Sequence, residues 1–171
     1  MLNGVTVELT PKMLLGTLRD NLIDGERISD LDLTECIKDV GLEDILRQLD
    51  EGLATVITPD DERLPMEMRF RVGLARALLK KPDVCAIEEP PSSGDLHVDA
   101  RTLDSQRRLA QQETITLVLP RRLATLRACD RVVLLDAGRV VDEGTHAELL
   151  KRCELYRHLN YLQFNAARRS E

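Results

Sequence analysis

The chain has 171 residues, 43% of them apolar and 32% charged, and a net charge of −6. That length and balance describe one globular domain, or a core with a small subdomain, burying roughly 70% of its extended surface. An acidic chain is unsuited to nucleic acid, which is gripped by neutralising phosphates, and no run approaches the roughly 18 apolar residues that span a bilayer, so a cytosolic chain is expected.

Val5, Thr6 and Val7 are a β-branched run halted by Thr10-Pro11, as in a strand entering a loop. Residues 30–40 and 42–49 carry apolar side chains at helical spacing, and Gly41 and Gly52 follow them, each suited to the left-handed position past a helix end. Residues 64–79 form the longest helical candidate, with Pro65 where a missing N–H is harmless and Lys80-Lys81-Pro82 as its stop. Val84, Cys85, Ala86 and Ile87 are wholly apolar, the pattern of a strand buried on both faces of a parallel sheet, and they run into Glu88-Glu89-Pro90-Pro91.

Residues 96–112 read as a helix, 114–119 as a second buried strand stopped by Pro120, and 122–129 as a short helix. Residues 131–135 and 139–141 flank Asp136-Ala137-Gly138, the composition of a hairpin turn. Thr145 and Glu148 match a capping box, so a helix starts there and, with 153–164, closes the chain. This order implies an α/β fold with a helical subdomain ahead of the alternating part. Cys36, Cys85, Cys129 and Cys153 show no C-x-x-C pairing and are expected to be reduced thiols. His97, His146 and His158 lack metal-ligand spacing.

Three stretches, in the same order, resemble the ATP-binding-cassette (ABC) ATPase family, its exporters in particular. G-T-L-R-D-N-L at 16–22 is similar to the opening of the family's helical subdomain. R-V-G-L-A-R-A-L-L-K-K-P at 71–82 resembles the helix between the family's signature and its Walker B strand, and residues 122–146 resemble the segment from the switch region through the hairpin. The resemblance implies a partial P-loop NTPase core with a mostly parallel sheet. It assigns residues 1–14 to a core strand and Q-loop region, 15–80 to the helical subdomain, and 81–171 to the C-terminal half of the core.

ATP and magnesium are the cofactors that this resemblance implies. None of Lys12, Lys38, Lys80, Lys81 and Lys151 has the preceding glycine and following Ser or Thr of a P-loop, which in the family lies tens of residues ahead of Met1. The Q-loop position falls on Leu9 or, with a short insertion, on Lys12. The signature corresponds to Leu64, Pro65, Met66, Glu67 and Met68, a helix mouth that in the family donates N–H groups to the γ-phosphate. Here Pro65 lacks a donor, Met66 adds bulk, and Glu67 brings a charge that repels an anion about 4 Å away by about 4 kcal/mol at an effective dielectric near 20.

Glu88 stands at the Walker B acid position, where it would hold magnesium through water with one methylene too many, and Glu89 stands at the general-base position. Asp95 matches the D-loop. Arg121 takes the place of the switch histidine and can bind phosphate, though not as an imidazole does. The expected function is a degenerate, non-hydrolytic nucleotide-binding domain that pairs with a second ABC cassette and a transmembrane subunit at the cytoplasmic face of a membrane. The alternatives are an ATP-hydrolysing ABC transporter subunit whose P-loop half is missing from this chain, and a non-catalytic interaction module derived from the fold. A sheet lacking its phosphate-loop strand should leave a gap beside 84–87 or 114–119, which predicts a homodimer or strand exchange.

Overall fold

A computed structural model describes residues 5–8, by backbone only, and residues 11–91, 96–111 and 113–164. The elements are β1 (Val5–Glu8), β2 (Gly16–Thr17), α1 (Leu18–Ile23), α2 (Asp30–Val40), α3 (Glu43–Gln48), a 3-10 turn (Gly52–Ala54) and β3 (Val56–Ile57). There follow α4 (Met66–Lys80), β4 (Val84–Glu88), α5 (Leu96–Gln111), β5 (Ile115–Leu119), α6 (Leu123–Ala128), β6 (Val132–Asp136), β7 (Arg139–Gly144), α7 (His146–Arg152) and α8 (Glu154–Phe164). This is a mixed α/β chain with small sheets, and it divides into two compact units, one ending at Leu119 and one starting at Pro120.

In the first unit β1, β4 and β5 make a three-stranded, all-parallel sheet with β4 in the centre. Helix α4 is its hub. All nine residues from Phe70 to Leu78 are buried, because the helix packs against α1, α2, α5 and β1. Such all-round burial is the mark of a central helix, and each Leu or Val removed from water contributes roughly 1.5–3 kcal/mol. Leu18, Leu22, Leu33, Ile37, Val40, Val72 and Leu74 join Cys85 and Ile87 of β4 in one apolar core.

The helix ends follow local chemistry. Ser29 caps α2 by accepting from the Asp32 N–H, and Gly41 ends it in the left-handed conformation at φ 68°. Thr17 and Asp20 form a capping box on α1, with Asp in place of the usual Glu or Gln. Gly52 does not end α3, as its spacing suggested. Leu49 does so in an extended conformation, and Gly52 opens the 3-10 turn instead.

The strand at 114–119 also departs from expectation. It is apolar but not buried: Ile115, Leu117 and Leu119 are 60%, 58% and 57% exposed. Among the described residues β5 has one neighbour, β4, and only one face of the sheet is covered there, so the apolar pattern runs along an open edge. Strands β4 and β5 are direct neighbours in register, Ala86 opposite Leu117, so the expected gap does not fall between them. In β4 only Cys85 and Ile87 are fully buried, while Val84 and Ala86 are half-buried.

In the second unit β6 and β7 form the expected hairpin, turning through Ala137 at φ 47° and Gly138 at φ 76°. Both turn residues take positive φ, as a two-residue hairpin turn demands. The Thr145–Glu148 capping box is present, and Leu134, Leu149, Cys153 and Tyr156 form a small core. All four cysteines are thiols, and burial pushes Cys36 up to about 12.

Candidate nucleotide site

Strand β4 delivers two acids to its C-terminal end. Glu88, half-buried, is the last strand residue, in register with Leu119. Glu89 follows and is only 1% exposed. Its N–H donates to the Leu119 carbonyl at 3.1 Å, carrying the β4–β5 ladder one residue further. Its carboxylate accepts from Gln106 Nε2 at 3.0 Å. Gln106 lies on α5 and is itself buried, and its own Oε1 has no hydrogen-bond partner in the protein.

Burying a carboxylate without donors costs several kcal/mol, and the amide of Gln106 offsets part of that cost for Glu89. One turn earlier on the same face, Thr102 Oγ1 donates to Glu67 Oε1 at 2.5 Å. Between them Ser105 Oγ donates to the Asp39 carbonyl at 2.9 Å, at the end of α2. Positions 102, 105 and 106 share one helix face, and all three are buried. The face that should carry the apolar stripe of α5 therefore carries three hydrogen-bonding side chains, each reaching a different element.

At the mouth of α4, Leu64 is buried and Pro65 is the N-cap residue, with no side-chain cap. Met66 is 62% exposed, and Met68 packs against the core. Glu67 does not stand at this mouth as an uncompensated charge. Besides Thr102 it meets Arg71 Nε at 3.6 Å, one turn along the helix. Arg71 is buried and donates from Nη1 to the Gly41 carbonyl at 2.9 Å. Burial lowers the Arg71 pKa and Glu67 opposes that shift, so acid and cation stabilise each other inside the domain.

The loop ahead of the mouth is tied down as well. Asp61 accepts from the Arg63 N–H at 3.0 Å and from its guanidinium at 2.9 and 2.6 Å. These bonds hold its carboxyl well below the usual range. Arg69 donates to the carbonyls of Leu64, Pro59 and Asp61. Two turns further along α4, Arg76 donates to the Asn21 carbonyl at 2.6 Å, to Asn21 Oδ1 at 3.1 Å and to the Lys12 carbonyl at 3.0 Å. Asn21 in turn exchanges hydrogen bonds with the Leu14 backbone. The segment leaving β1 is thus pinned to the centre of the helical part.

Helix α5 links Glu67, through Thr102, with Glu89, through Gln106. Arg121 lies exposed at the start of the second unit, just ahead of α6. Leu9 and Asp95 lie outside the described residues. Among the described residues no three His, Cys, Asp or Glu side chains gather as a metal site would require. The residues present fit magnesium ATP poorly: the Glu89 carboxylate is buried against an amide, and the mouth of α4 has Pro65, which lacks an N–H, at its cap and the acidic Glu67 in its first turn, where an anion would be repelled.

No protein-family model matches the chain. It is 32% identical over 152 residues to an ATP-dependent lipid A-core flippase of Polaromonas sp., a match covering 89% of this chain and 26% of the flippase. It is also 32% identical over 159 residues to the ABC multidrug transporter MDR2 of Trichophyton interdigitale, covering 89% of this chain and 12% of the transporter. A bacterial Atm1-family ABC exporter solved with ATP bound superposes with a TM-score of 0.81 at 25% identity, over 93% of this chain and 28% of that one.

The chain is a relative of the ABC exporters. It spans about a quarter or less of the length of the curated relatives above. Among the described residues no helix is long and apolar enough to cross a membrane. Gln106, Thr102 and Asn21 were not singled out by their sequence context. The signal that finds them is a polar residue where helical spacing calls for an apolar one.

Proposed function

We propose that this chain is the C-terminal part of an ABC exporter nucleotide-binding domain, built on a P-loop NTPase core. It keeps the framework of the domain and does not hydrolyse ATP. The relatives support the family, and one observation supports the loss of hydrolysis: Glu89, at the general-base position, is buried with its carboxylate bound to Gln106. A general base must reach the water it activates within about 3 Å, and here the side chain serves α5 instead. Glu67 supports the same reading, because its carboxylate is spent on Thr102 and Arg71.

The role left is support of a partner. In this reading the chain pairs with a catalytic ABC cassette and docks beneath a transmembrane subunit, at the cytoplasmic face of a membrane. Leu14, Leu15 and Leu31 support a docking role, being large apolar side chains left exposed on the helical part. Hydrolysis completed by a P-loop on another chain would require Glu89 to leave Gln106. The test is phosphate release with magnesium ATP: the wild-type chain and Glu89→Gln both stay at background. Hydrolysis above background that Glu89→Gln abolishes overturns the proposal.

A further inference from the structure

Helix α5 presents positions 102, 105, 106 and 109 along one side, the i, i+3, i+4, i+7 spacing that carries the apolar stripe of an amphipathic helix. All four are buried, and only Leu109 is apolar. The other three reach three different elements. Thr102 Oγ1 donates to Glu67 Oε1 in the first turn of α4, Ser105 Oγ lies 2.9 Å from the Asp39 carbonyl in the last turn of α2, and Gln106 Nε2 donates to Glu89 Oε1 just past β4. Arg108 adds an ion pair to the same Asp39 at 2.8 Å. Helices α2 and α4 and the end of β4 are thus tied to one helix and, through it, to one another.

Ties of this kind fix position in a way that apolar contact does not. Apolar burial is non-directional and does not by itself set how far a helix slides or rolls. A buried hydrogen bond loses its geometry within roughly an ångström of displacement, and the groups it leaves unpaired are costly in a dry interior. Burial does not account for the residues chosen. A leucine at 106 would bury more apolar surface, whereas Gln106 keeps its Oε1 buried with no partner among the described residues. What the polar side chains add is direction.

We propose that α5 is an interlock: through Thr102 and Gln106 it makes α2, α4 and the end of β4 move as one body, so that displacing either Glu67 or Glu89 displaces the other. Thr102 and Gln106 stand one turn apart on the same helix, so a pull on either bond shifts α5 and strains the second. Ser105 is the weakest tie, because its hydroxyl also lies 2.8 Å from the Arg101 carbonyl of its own helix and has one proton to give. A partner seated on the helical part would therefore move the strand end that carries Glu89, whether or not the chain holds nucleotide. Coupling of this kind is demonstrated by an effect away from the altered contact.

Hydrogen exchange of the full chain, read by mass spectrometry, tests the interlock on the wild type and on two variants of nearly unchanged side-chain volume. Thr102→Val removes the bond to Glu67, and Gln106→Leu removes the bond to Glu89. In Thr102→Val the amides of 84–89, and not only those of 66–70, are expected to exchange about fivefold faster or more. In Gln106→Leu the amides of 66–70 quicken to the same degree, along with 84–89. Ser105→Ala has a smaller effect, Thr102→Ser keeps the wild-type rates, and the amides of α1 are unchanged in every variant. If one variant fails to fold, the other reads the same effect in the opposite direction. Exchange that quickens only beside the bond removed, or nowhere, overturns the proposal. So does quickening that spreads to α1, or loss of the fold in both variants, because either marks Thr102 and Gln106 as general core residues.

Discussion

Glu67 and Glu89 would each be a liability if left alone. Each is an acid turned inward, and each is matched by a donor from the same helix face, Thr102 for one and Gln106 for the other. This is the usual condition for burying a carboxylate. His146 shows the same economy in the second unit. Its Nδ1 lies 2.8 Å from the Tyr156 hydroxyl, the two rings meet edge-on, and burial, aided by Arg127, lowers its pKa from the ordinary value near 6.5. A folded-state pKa below the unfolded one means that the unfolded chain takes up a proton which the folded chain refuses. Stability is therefore full above pH 6.5 and falls as the pH drops below that value. Thermal melts from pH 7.5 down to about 5 should show this loss, and His146→Gln should flatten it. The hydrogen bond itself was not legible in the sequence, since the partner is ten residues away on the next helix; the capping box that positions His146 was.

At the scale of elements, local chemistry was legible and tertiary chemistry was not. The boundary of α2, the hairpin turn and the start of α7 follow from residues within one turn of each feature. The misplaced end of α3 has the same origin: Gly52 does take a positive φ, but three residues beyond the helix end at Leu49. The polar stripe on α5 could not be interpreted, because Thr102, Ser105 and Gln106 meet residues 35, 66 and 17 positions away. Gly41 joins the two kinds of information. Its left-handed φ was expected, whereas its second duty is visible only in the fold: a Cβ there would lie 2.7 Å from Arg71 Nη1 and 3.1 Å from Arg101. Gly41→Ala should therefore cost more than the roughly 1–2 kcal/mol of a left-handed alanine, because the guanidinium that answers Glu67 must move. Denaturant unfolding checks this, and a loss below about 1 kcal/mol would show that Arg71 is not held at the helix end.

For the whole molecule, the alternation of strand and helix and the three family-like stretches were enough to place the chain with the ABC exporters. Burial at the edge of the sheet was not accessible in this way. An apolar run reads alike whether its face is covered or open, and among the described residues the face that carries Ile115, Leu117 and Leu119 is left exposed. The altered motifs were legible one by one, whereas their compensation by Gln106, Thr102 and Arg71 required the fold. In the proposed reading these features make a framework that does not grip phosphate. Calorimetric titration of the chain with magnesium ATP tests that claim most directly. A dissociation constant of 100 μM needs about 5.5 kcal/mol of binding free energy, and in the proposed reading the buried Glu89 and a helix mouth with Pro65 at its cap and the acidic Glu67 in its first turn do not supply it. The expected result is no saturable binding tighter than about 100 μM, and a saturable isotherm tighter than that would contradict the account.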